Sequence, residues 1–95
     1  MNENYIVCKK VYFYSQLDES IFFTWIKNIS CIKTTGGVGD ELYLYIIDEP
    51  LNYEDMKNLI ALLYRYKIDM RQLQPLITEH NKDAVIPWKR QIYKT

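Results

Sequence analysis

A chain of 95 residues has room for one hydrophobic core, so a single domain over 1–95 is expected. Hydrophobic residues at 48% and charged residues at 25% place it among globular sequences and away from the disordered ones. Twelve Lys and Arg against twelve Asp and Glu leave no bulk positive field for generic binding to nucleic acid or an anionic membrane, and one His with two Cys is too few for a standard zinc site.

Asn4 to Ser15 (NYIVCKKVYFYS) is β-branched and aromatic, which predicts a first strand. Alternation puts Tyr5, Val7, Val11 and Phe13 on one face and Ile6, Cys8, Tyr12 and Tyr14 on the other. Ser15 or Asp18 then caps a helix that starts near Leu17, with Asp18 and Glu19 at the positive end of its dipole. Leu17, Ile21, Phe22, Trp25, Ile26 and Ile29 recur at spacings of three and four, predicting one broad apolar stripe against a sheet. Ser30 to Thr35 and Glu41 to Ile47 read as two strands joined through Gly36–Asp40, a hairpin holding every glycine of the chain.

After Pro50 the helical period returns at Tyr53, Met56, Leu59, Ile60 and Leu63, with Asn52 as cap and acids in the first turn. Asp69 restarts a helix with Gln72 at capping-box distance and Leu73, Leu76 and Ile77 as its apolar face; Pro75 kinks it or marks its true first turn. The stretch 81–95 fits a strand, a short helix or an ordered tail, and Trp88, Ile92 and Tyr93 imply that it docks. The order β-α-β-β-α-α specifies an α+β fold, a small mainly antiparallel sheet with helices on one face. A fourth strand from the tail would make the topology ferredoxin-like.

No window approaches the roughly 18 uncharged apolar residues of a membrane span, and Lys9 with Lys10 interrupts any signal-peptide core, so a soluble protein without a membrane partner is expected. Cys8 and Cys31 sit in apolar segments and read as reduced core thiols. His80, the only histidine, reads as a helix C-cap with no nucleophile beside it in sequence. The glycine cluster is followed by a strand, not a helix, and by no Lys-Ser or Lys-Thr pair, so it is not a phosphate loop. No catalytic residue, metal site or cofactor is expected.

Charge placement is uneven beneath the neutral total. From Asp40 to Asp55 there are six acids and no base; from Met56 to Thr95 there are eight bases against three acids. Asp40, Glu41, Asp48, Glu49, Glu54 and Asp55 are expected near one edge of the domain, where they would steer a basic partner. The same carboxylates also suit solvated loop ends and helix first turns. Tyr43 and Tyr45, among nine tyrosines, share one face of their strand while Leu42, Leu44 and Ile46 share the other. If the leucines meet the helices, the tyrosines face solvent or a partner. The alternative is a nucleic-acid binder stacking bases on strand aromatics near Lys9, Lys10 and Lys33, as RNA-recognition folds do; the acids flanking Tyr43 and Tyr45 oppose it.

The run GDELYLYIIDEP (39–50), the helix ending LLYRYKIDMRQL (62–73) and the Trp- and Lys-bearing tail resemble the cytoplasmic immunity proteins of bacterial contact-dependent growth inhibition systems. These proteins share no fixed motif, so no residue role is carried over. The resemblance implies a cytoplasmic inhibitor. The partner it implies is the toxic C-terminal domain of an exported effector, often a nuclease; the acidic cluster leads us to expect a basic surface on it.

Overall fold

The computed structural model describes residues 4–93. Strand β1, Tyr5–Lys9, is followed by helix α1, Gln16–Lys27, then strands β2, Ile32–Val38, and β3, Glu41–Ile46. Helix α2, Tyr53–Arg65, a 3₁₀ segment Met70–Leu76, and the short helices α3, Lys82–Val85, and α4, Lys89–Tyr93, complete the chain. The fold is α+β, as expected, with β3 at the centre of a three-stranded antiparallel sheet in the order β1-β3-β2.

β1 ends where Lys10 takes a left-handed φ of +52°, which a strand ladder cannot continue. The expected strand therefore stops six residues short of Ser15, and the chain changes face there. Ile6 and Cys8 are buried in the core, but beyond Lys10 it is Val11 and Phe13 that pack inward, Phe13 with its ring 5.2 Å from Phe22. Ser15 caps α1, its Oγ accepting the Asp18 N–H at 3.1 Å. The broad α1 stripe is only partly used. Phe22, Ile26 and Ile29 are buried and Trp25 half-buried, whereas Leu17 and Ile21 stay 69% and 51% exposed because a three-stranded sheet is too narrow to cover them.

The hairpin turn is tighter than predicted. Gly36 and Gly37 belong to β2, and the connection is Gly39–Asp40 alone, with Gly39 at φ +62° as a two-residue turn requires. Leu44 and Ile46 of β3 join Ile6 and Cys8 in the core beneath Phe22, Ile26, Met56, Leu59, Leu62 and Leu63. Asn52 caps α2, accepting the Asp55 N–H at 2.8 Å. The helix closes in a Schellman motif. Ile68 N–H reaches Leu63 C=O at 2.8 Å and Lys67 N–H reaches Tyr64 C=O at 3.3 Å, with Lys67 at φ +59° where glycine is usual.

The helix expected after Asp69 is a 3₁₀ turn. Asp69 caps it through the Arg71 N–H, and Pro75, lacking an N–H, cannot supply an α-helical bond at its centre. From Lys82 to Tyr93 the tail is helical, and among the described residues it supplies no fourth strand for a ferredoxin-like variant. It docks through Ala84, Val85 and Ile92, and the Gln74 side-chain amide donates to the Ile92 carbonyl at 2.7 Å. Tyr93 stays exposed. His80 lies exposed in a turn after the 3₁₀ segment, so it does not cap a helix C-terminus.

Candidate interaction surface

The β1–β3 register sets Tyr5 opposite Tyr45 and Val7 opposite Tyr43. Since Ile6, Leu44 and Ile46 point into the core, period two sends Tyr5, Tyr43 and Tyr45 to the opposite face. Their ring centroids lie 5.3 Å apart for Tyr5–Tyr43, 6.1 Å for Tyr5–Tyr45 and 6.2 Å for Tyr43–Tyr45. The three rings contact one another and no other aromatic ring among the described residues. Gly36, opposite Tyr43, leaves the β2 side of this platform flat: a Cβ there would sit 3.5 Å from Tyr45 Cε2. Thr34 and Val38 border the platform on β2, and Val38 is exposed.

Charge enters at the hairpin end. The Tyr43 hydroxyl donates to Glu41 Oε1 at 3.2 Å, and Glu41 Oε2 lies 3.9 Å from Lys9 Nζ. The hydrogen bond to the Glu41 carboxylate raises the Tyr43 hydroxyl above the ordinary phenol range.

The six acids do not form one edge. Asp40 and Glu41 flank the tip of the hairpin, while Asp48 and Glu49 follow β3 at its other end, on the order of 20 Å away at about 3.4 Å per residue. Glu54 sits in the first turn of α2 and pairs with Lys57 at 3.8 Å. Asp55 is only 7% exposed and accepts the Ser30 hydroxyl at 2.8 Å, a structural tie between α2 and the start of β2. Of the eight residues expected to act together, the structure gathers Glu41, Tyr43 and Tyr45, with Asp40 adjacent. Tyr5 completes the group, and its place follows from pairing with β3.

Two polar side chains that sequence reasoning missed hold the frame. Gln72 lies along the free edge of β1, accepting the Val7 N–H at 2.7 Å and donating to the Val7 C=O at 3.0 Å. Asn81, 1% exposed, donates to the carbonyls of Leu51 and Leu76 at 2.9 and 3.0 Å and accepts the Thr78 N–H at 3.0 Å. The partners Val7 and Leu51 lie 65 and 30 residues away and have no signal in local sequence.

Cys8 and Cys31 are free and buried, and burial pushes both thiols up to about 12. Neither is a nucleophile at neutral pH. Among the described residues no group of three or more His, Cys, Asp or Glu could hold a metal ion, and no helix is long and apolar enough to cross a membrane. No family model matches the chain, and no curated protein or solved structure matches it significantly.

Proposed function

We propose that this protein is a non-catalytic inhibitor that binds a protein partner and covers its active surface, as the resemblance to contact-dependent immunity proteins implies. The partner would be the basic C-terminal domain of a bacterial toxin, met in the cytoplasm. One observation supports this reading above the others: Tyr5, Tyr43 and Tyr45 gather on the sheet face turned away from the core, with Glu41 bound to one of them. Tyrosine buries a large rigid surface at small entropic cost, and such residues dominate interface energetics. A face three strands wide and about 20 Å long offers roughly 300 Å², about a third of the ~800 Å² that each partner contributes to a standard interface. The contact therefore extends onto the hairpin tip, where Asp40 and Glu41 supply the negative charge.

The test uses the toxic domain encoded directly upstream of this chain's gene. Tyr43→Ala should weaken its binding at least tenfold while leaving the melting temperature nearly unchanged. Asp40→Lys with Glu41→Lys should slow association and flatten its salt dependence, whereas Asp48→Lys with Glu49→Lys should not. Binding that survives Tyr43→Ala refutes the face. A neighbouring gene product that is not bound, and whose toxicity this protein does not suppress, refutes the immunity reading.

The runner-up is stacking of single-stranded RNA on the same three rings, favoured by their position on an antiparallel sheet face. Glu41 beside those rings opposes a phosphate backbone.

A further inference from the structure

On another surface, two cavities share a cationic wall where α2 ends. The first, of about 320 Å³, is lined by Lys10, Tyr12 and Tyr14 from the loop after β1 and by Arg65 and Lys67 from the end of α2. The second, of about 650 Å³, lies against the same Arg65 and Lys67 and is closed by Ala61, Tyr64 and Trp88. Each cavity has its own aromatic pair. Tyr12 and Tyr14, 69% and 80% exposed, meet edge-to-face at 4.7 Å, and Tyr64 packs on Trp88 at 4.9 Å.

Among the described residues lining the two cavities, cations outnumber acids three to one. Among the described residues Lys10, Arg65 and Lys67 form no ion pair, whereas the nearby Arg71 is held by Asp69 at 2.8 Å and Lys9 approaches Glu41. One carboxylate, Asp18, lines the first cavity; it accepts the Tyr14 N–H at 3.1 Å and the Tyr66 hydroxyl at 3.2 Å, neutral donors that leave its charge in place, so the two linings together keep a net positive charge. Lys10 and Lys67 also occupy left-handed backbone positions that glycine would fill at lower cost.

We propose that this surface binds single-stranded nucleic acid, with phosphate on the Arg65–Lys67 wall and bases on the Tyr12–Tyr14 and Tyr64–Trp88 pairs on either side of it. A basic groove flanked by stacking platforms is the general solution for binding single strands without reading their sequence. The net charge of zero is no obstacle, because the surplus of bases lies in the chain from Met56 onward. The proposal uses none of the sheet tyrosines and is independent of the inhibitor reading.

The experiment is fluorescence anisotropy with labelled hexamers of RNA and DNA at low and moderate salt, beside a mononucleotide and inorganic polyphosphate as competitors. The expected result is hexamer binding that falls with salt, weakens at least tenfold in the Lys10→Gln, Arg65→Gln, Lys67→Gln triple variant, and weakens severalfold in Tyr12→Ala and in Tyr64→Ala. All three charge positions are exposed, so their substitution should preserve folding, and melting curves check this for each variant. Absence of hexamer binding overturns the proposal. So does polyphosphate competing as well as the hexamer, which indicates charge alone, or the mononucleotide doing so, which indicates one base site. Loss of hexamer binding in Tyr43→Ala with none in the triple variant moves the strand to the sheet face and also overturns it.

Discussion

The free edge of β1 is closed by one side chain. The Gln72 amide satisfies both outward backbone groups of Val7, replacing the neighbouring strand that an edge would otherwise attract. Gln72→Ala should cost about 1 kcal/mol and accelerate hydrogen exchange at the Val7 N–H, measurable by melting and NMR. The thiols supply a pH test. Burial raises Cys8 and Cys31 from 9.0 to about 12, so folding binds their protons more tightly than the unfolded chain does. Their contribution to stability is complete below pH 9 and is lost as pH rises toward about 12. Denaturant unfolding at pH 8 and pH 10.5 should show this loss, and it should shrink in a Cys8→Ala, Cys31→Ala protein. That both thiols are buried was legible from their apolar neighbours. That Gln72 would serve β1 instead of a capping box was not, because its partner lies 65 residues away.

Elements formed by contiguous residues were the most legible. The caps at Ser15 and Asn52 and the periods of α1 and α2 stand where short-range spacing puts them. The boundaries that moved did so at single backbone positions. Lys10 turns left-handed and ends β1, the connection expected over Gly36–Asp40 narrows to Gly39–Asp40, and Lys67 completes a Schellman cap. Lys has no strong left-handed preference, so tertiary context sets those φ values: Phe13 packs on the core after Lys10, and the Schellman hydrogen bonds with buried Ile68 hold Lys67. Lys67→Gly should therefore stabilise the protein, by roughly 0.5–1 kcal/mol, and raise the melting temperature. Gly39→Ala should destabilise it by about 1 kcal/mol, because φ +62° strains any residue with a Cβ. The tail stayed undecided because α3 and α4, with four and five residues, are too short to nucleate alone and owe their form to docking.

At the scale of the molecule, helices and core occupy one side of the sheet and tyrosines the other. Because Tyr43 contributes to the platform and not to the core, Tyr43→Ala should lower stability by less than about 1 kcal/mol, against the 3–5 kcal/mol typical of a buried aromatic such as Phe22. A larger loss would make the platform a structural layer and remove it as a binding surface. Alternation along β3 required that Tyr43 and Tyr45 share a face, and helical spacing required amphipathic partners for the other face. Those are consequences of bond geometry with periods of two and 3.6, and they are carried by neighbouring residues. Which residues meet across distance depended on the strand order β1-β3-β2 and on the course of the chain after α2. That course brought Tyr5 to the platform, sent the acids to both ends of β3, buried Asp55 against Ser30, and set Lys10 beside Lys67. No local pattern encodes such contacts, because they arise only when the whole apolar surface finds its best burial.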